Sequence, residues 1–194
     1  MSPLILFLIF GGGPLAWYFW REHKLSTPSL QWPSMRIALG LTYEASPPRL
    51  GGAWNGRKVA IEAAADGVTI TAWLNAETSL RVECAARELV TKRAGMLVPD
   101  AVEPVETVFK QKLLARCSDK AAGPLVFDST MQQRLADLTH VDFVGEQFRV
   151  IWKVPVVKDL NETEALLGAL CAVADGLESF PKGGGMPSAQ TKRP

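Results

Sequence analysis

In the first half of the chain, apolar and polar residues exchange places at nearly every step. Val59 and Ile61 alternate with Lys58, Ala60 and Glu62, and Val68, Ile70, Ala72 and Leu74 alternate with Thr69, Thr71 and Trp73. A period of two marks strands that bury one face and leave the other polar. The breaks fall at Asn55-Gly56 and Asp66-Gly67. Both dipeptides suit two-residue hairpins, because the centre of a type I′ turn takes positive φ. Leu80–Ala85 continues the alternation, so the segment reads as a meander of about four antiparallel strands. Val105–Cys117 predicts a further strand. Val141–Val156 predicts two strands around Gly145-Glu146, with Phe148, Val150, Trp152 and Val154 on one face.

Elsewhere the period lengthens to that of a helix. Ser129 and Gln132 have the spacing of a capping box, and Met131, Leu135 and Leu138 follow on one face. Asn161 with Glu164 reads as a second helix start. Leu166, Leu167, Leu170, Val173, Ala174 and Leu177 form its apolar stripe, and Pro181 stops it. Met35–Leu41 fits either period, but Gly40 favours a helix ending at a glycine. Ala86–Pro104 sustains neither pattern and reads as irregular. The order is meander, strand, helix, hairpin, helix. It predicts an α+β fold: a mainly antiparallel sheet with helices packed on one face.

The N-terminus differs. From Pro3 to Trp20 there is no charged residue, and Arg21, Glu22, His23 and Lys24 follow at once. As a helix this run would rise about 27 Å, close to the ~30 Å of a bilayer core. The expectation is one N-terminal transmembrane helix, with a cleaved signal or a buried core helix as alternatives. Trp17, Tyr18 and Trp20 would lie at the membrane interface, beside Arg21 and Lys24. Basic residues follow the run and none precedes it, which puts the N-terminus outside and the body in the cytoplasm, on the inner membrane. Gly11, Gly12 and Gly13, followed by Pro14, would form either a helix-packing face or a kink.

Four regions are therefore expected: an anchor with its basic flank over 1–24, a linker over 25–34, an α+β extrinsic domain over 35–180, and a mobile tail over 181–194. Three short segments carry a resemblance: "GRKV" at Gly56–Val59, "PLVFDSTMQQRL" at Pro124–Leu135 and "LLGALCAVADGL" at Leu166–Leu177. In these the chain resembles an uncharacterised group of bacterial membrane-anchored α+β domain proteins. The resemblance implies the fold and an anchor, and brings no catalytic residues with it.

Composition narrows the chemistry. A net charge of +1 gives no global field for nucleic acid. Cys84, Cys117 and Cys171 are odd in number and sit among apolar residues, as reduced, buried thiols do. No cysteine spacing fits zinc, no glycine-rich phosphate loop follows a strand, and no cofactor is expected. Cys117 with His140 is the nominal nucleophile pair. Asp128 is either an exposed carboxylate at a strand-to-helix turn or a helix cap. Trp54, Trp73 and Trp152 could mark a binding face or simply pack. Arg57 and Lys58, beside the first hairpin, could touch lipid phosphates or form a solvated edge.

These readings favour a non-enzymatic, membrane-anchored accessory or assembly subunit that stabilises a membrane protein complex. Its partners would be subunits of that complex and the lipid bilayer. In outline alone, one helix followed by a strand-rich cytoplasmic domain resembles the capping subunit of photosynthetic reaction centres. The alternative is a membrane-tethered hydrolase or thiol enzyme using Cys117, Asp128 or His140.

Overall fold

A computed structural model describes residues 12–26, 31–92, 100–157 and 159–182. Gly11 and the residues before it, part of the expected linker and the tail beyond Lys182 lie outside the described residues. The body is α+β, built on one nine-stranded sheet in the order β1-β2-β3-β4-β9-β8-β5-β7-β6, antiparallel throughout. The strands are β1 (Thr42–Ala45), β2 (Pro48–Trp54), β3 (Arg57–Ala64), β4 (Gly67–Trp73), β5 (Arg81–Ala86), β6 (Asp100–Ala101), β7 (Leu113–Cys117), β8 (Asp142–Glu146) and β9 (Arg149–Val154).

The helices are α1 (Gly13–Ser26), α2 (Trp32–Leu39), α3 (Arg87–Lys92), α4 (Thr107–Lys112), α5 (Gly123–Val126), α6 (Ser129–Ala136) and α7 (Leu160–Glu178). Helix α7 packs on β4, β9 and β8, and α2, α5 and α6 pack against α7. The stripe expected on α7 is the one it buries: Leu166, Leu167, Leu170, Val173, Ala174 and Leu177 are all core residues. Each such side chain contributes about 2 kcal/mol of burial. Opposite them Val59, Ile61, Val68, Ile70, Val150 and Trp152 point inward at alternate positions. Phe143 joins Trp152 at a ring-centroid distance of 4.8 Å.

The hairpin at Asn55-Gly56 forms as expected, with Asn55 at φ 48° and Gly56 at φ 79°. The second turn is displaced by one residue. Ala64 pairs with Gly67, so Ala65 and Asp66 make the turn and Gly67 opens β4. Glycine serves there for a different reason: a Cβ would collide with the carbonyl oxygen of Val154 on β9. The hairpin between β8 and β9 turns at Gln147-Phe148, with Gln147 at φ 54°, two residues beyond the expected Gly145-Glu146. Gly145 is instead a core position where Leu177 and Val82 leave no room for a side chain.

Larger differences lie in the topology. The meander comprises β1 to β4 and stops there, because β4 pairs with β9 and β5 lies between β8 and β7. The stretch Val105–Cys117 divides into α4 and β7. Arg87–Lys92 is a helical turn within the segment read as irregular. Trp32, inside the expected linker, is fully buried and opens α2, with Pro33 in the first helical turn, where its missing N–H costs nothing.

The N-terminal reading requires correction. As described, helix α1 covers the 14 residues from Gly13 to Ser26. Arg21, Glu22, His23 and Lys24 lie within it and do not flank it. These 14 described residues rise about 21 Å, short of the ~30 Å of a bilayer core. Among the described residues no helix is long and apolar enough to cross a membrane. The transmembrane helix is not supported, nor is the single-pass inner-membrane location, N-terminus outside, that rested on it.

Candidate functional site

Arg57, the first residue of β3, donates four hydrogen bonds from its side chain. Its side chain points to the helical side of the sheet and is only 5% exposed. Nη1 donates to the carbonyl oxygen of Trp73 at 2.9 Å and to Glu178 Oε1 at 2.6 Å. Nη2 donates to Glu178 Oε2 at 2.9 Å and to Asp175 Oδ1 at 2.5 Å. The backbone N–H of Asn75 completes the ring by donating to Glu178 Oε1. A planar guanidinium suits this task because its fork matches both carboxylate oxygens at once.

The electrostatics follow from the geometry. Its hydrogen bonds to Glu178 raise Arg57 above the ordinary arginine value, against the lowering effect of burial. The bond from Arg57 in turn holds the Glu178 carboxyl below the usual range, with burial opposing and the Asn75 N–H assisting. The last turn of α7 holds no basic residue, so Asp175 and Glu178 sit at the negative end of the helix dipole. Arg57 offsets that repulsion and ties the hairpin to the helix.

Beside this group opens a cleft of about 470 Å³, walled by Trp54, Asn55 and Asn75 on the sheet side and by Arg134, Gly168, Cys171 and Asp175 on the helical side. A second cleft of about 700 Å³ lies at the opposite ends of the strands. Its floor is apolar (Val68, Leu113, Leu135, Val141, Val154), and Asp66, Lys112, Asp137, His140 and Lys153 stand at its rim.

The groups nominated for chemistry are not assembled. Cys117 pairs across from Val82 on β5, whereas β8 begins with Asp142 across from Ala85 and His140 lies beyond it. Three residue steps along a strand separate the two by about 10 Å or more. Asp128 is a helix cap, accepting from the N–H of Met131 at 2.8 Å, so the cap stands one residue before the Ser129 of the expected box. Gln132 does not reach back to that cap. It is buried, accepts from the N–H groups of Val105 and Glu106, and donates to the carbonyl of Phe127. Helix α7 is capped by Asp159, two residues before Asn161. All three cysteines are buried and none forms a disulfide, and among the described residues no group of side chains could hold a metal ion.

The fold has a counterpart among solved structures. It is similar to the crystal structure of the mycobacterial trehalose monomycolate transport factor A, TtfA, with a TM-score of 0.57 and 15% identity over 78% of this chain and 95% of that one. At this identity the likeness is one of fold. No family model matches the chain, and no curated protein matches it.

The remaining nominated residues fall in separate places. Trp17, Tyr18 and Trp20 lie on α1, each more than half exposed, with Leu15 and Phe19 beside them. Arg21 and Lys24 lie farther along the same helix, and Gly12 and Gly13 at its start. Trp152 is core. Trp73 lies under the Lys58 ammonium, whose Nζ is 4.9 Å from the ring centroid. Arg57 is therefore a buried clasp, and Lys58 alone belongs to the solvated edge. The clasp has a sequence signal in retrospect: two acids at i and i+3 in the final turn of a helix that lacks a basic residue there require a cation from elsewhere.

Proposed function

We propose that this chain is a non-enzymatic accessory factor of a transport assembly, acting by holding other proteins together. The likeness of its fold to a transport factor, over 95% of that crystallised chain, carries the reading. The placement of the nominated reactive groups supports it. Cys117 is buried away from His140, Asp128 caps a helix, and the acids of α7 are engaged by Arg57. The cargo named for TtfA is not transferred with the fold.

The experiment is purification of the tagged chain at native expression level under mild conditions, after in-cell cross-linking, with the partners identified by mass spectrometry. A reproducible transporter component, together with loss of an exported compound on deletion of the gene, is the expected result. A chain that purifies alone, in cells whose export is unaffected by the deletion, would sink the proposal.

A further inference from the structure

We infer that α1 seats in the surface of a bilayer that carries anionic lipids, with its aromatic side chains at the boundary between headgroups and acyl chains. Exposure is the first observation. Leu15, Trp17, Tyr18, Phe19 and Trp20 are each between 55% and 65% exposed. Five large apolar side chains thus meet water within six consecutive positions. Elsewhere among the described residues the exposed ones are scattered, as Ile37 on α2, Leu125 on α5 and Phe148 at the turn between β8 and β9 are. Scattered residues of that kind are ordinary on a protein surface, and a contiguous patch is not. Among the described residues, α1 supplies no side chain to the core. Packing of the body therefore does not account for this run.

The arrangement of the five residues selects what covers them. At about 100° per residue they leave no gap wider than about 100° around the helix. A groove in a partner protein, or the face of a second copy, covers one side of a helix and leaves the rest in water. Lipid surrounds an inserted helix on every side. The chemistry points the same way. Trp17, Tyr18 and Trp20 each join an apolar ring to one polar N–H or O–H, the combination that favours the headgroup level. Leu15 to Trp20 rise about 9 Å along the axis, within the ~5–10 Å that interfacial elements reach into the headgroup and acyl boundary. The same helix continues into Arg21 and Lys24, with only Glu22 opposing them, and its first turn holds no acid. Two cations against one carboxylate match a surface of lipid phosphates. Contact with one leaflet asks for no crossing of the bilayer. The inference is independent of the transport role, since it uses α1 alone.

The test is co-sedimentation of the full chain with vesicles of phosphatidylcholine alone and of phosphatidylcholine mixed with phosphatidylglycerol. The chain should sediment with the mixed vesicles. Phe19→Asp should weaken that binding roughly tenfold or more, by exchanging a buried ring for a charge that the anionic surface repels. Because α1 lies outside the core, this variant should keep the wild-type urea midpoint, so the loss would not come from unfolding. Arg21→Gln with Lys24→Gln should weaken binding to the mixed vesicles by roughly tenfold and leave binding to phosphatidylcholine alone unchanged. Brominated lipid should quench the tryptophan emission of the wild type. Trp17→Phe with Trp20→Phe should abolish the quenching and keep the sedimentation, since Trp32, Trp54, Trp73 and Trp152 belong to the body. Absence of sedimentation with the mixed vesicles would overturn the inference. So would wild-type binding in Phe19→Asp, or quenching that survives the loss of Trp17 and Trp20. A dimer that forms without lipid and is dispersed by Phe19→Asp would assign the helix to a second copy instead.

Discussion

Replacing Arg57 with Met tests the central polar feature of the structure. The change removes four hydrogen bonds at once and keeps an apolar side chain of similar length in a site that is 5% exposed. Breaking a fully buried ion pair from one side costs about 3–5 kcal/mol, because the abandoned charge stays desolvated. Here the abandoned groups are less enclosed. The Glu178 side chain is 21% exposed and that of Asp175 is 70% exposed, so water recovers part of the loss. The carbonyl of Trp73 also loses its side-chain donor. A cost of about 2–3 kcal/mol follows. It corresponds to a fall in Tm of about 4–12 °C for a domain of this size. Urea denaturation followed by far-UV circular dichroism measures it directly. Glu178→Gln alone should cost less, and the double variant should cost less than the sum by about 1 kcal/mol or more, because the second change removes the charge stranded by the first. Arg57→Lys should recover only part of the stability, since an ammonium cannot bridge both carboxylates as the fork does. An Arg57→Met variant within 0.5 kcal/mol of wild type would refute this account of the clasp.

Three further outcomes follow. Glu178 is held below the usual carboxylate value, so its contribution to stability is fully present above its unfolded value of about 4.3 and is lost as pH falls through the lower folded value; denaturation midpoints should show this acid loss, and Glu178→Gln should diminish it. Burial pushes the Cys171 thiol up to about 11 and raises Cys84 further, while Cys117 is buried, so a chromogenic disulfide at pH 8 should find no fast thiol in the native chain and three after unfolding; one fast native thiol at Cys117 would revive the thiol-enzyme alternative. Asp128→Ala should cost about 1 kcal/mol through the lost cap, and Asp128→Asn or Asp128→Ser should restore most of it; a carboxylate needed for chemistry would show the opposite pattern, with activity lost in every substitution and stability unchanged by the cap-forming ones.

Local regularities were legible along the chain because local physics dictates them. The alternation over Val59–Leu74 placed the inward face of β3 and β4. The stripe of α7 named the residues it buries, and Asn55-Gly56 specified its turn through the positive φ that both positions adopt. Element ends slipped by one or two residues wherever neighbouring side chains were equally able to cap. Asp128 took the place of Ser129, and Asp159 that of Asn161. At the N-terminus the hydropathy of the run was read without the helix boundary. The described helix continues through the charged residues Arg21 to Lys24, so they do not mark its end.

Tertiary structure decided the rest, because it depends on contacts between residues far apart in sequence. The turn chemistry of a meander says nothing of where the next strand goes. The stretch Leu74–Leu80 passes the end of α7, where Thr78 Oγ1 donates to the carbonyls of Leu177 and Phe180, and so delivers β5 to the far side of β8 and β9. Gly67 and Gly145 read as turn glycines, yet their roles come from the backbone of β9 and the side chain of Leu177. Arg57 looked like a residue of a solvated hairpin edge. Only when α7 crosses the sheet do Asp175 and Glu178, more than a hundred residues away, arrive at its guanidinium. The cleft that they border with Trp54 and Gly168 exists for the same reason. Short-range sequence specifies which face of each element is apolar, and the pairing of those faces specifies which polar groups meet.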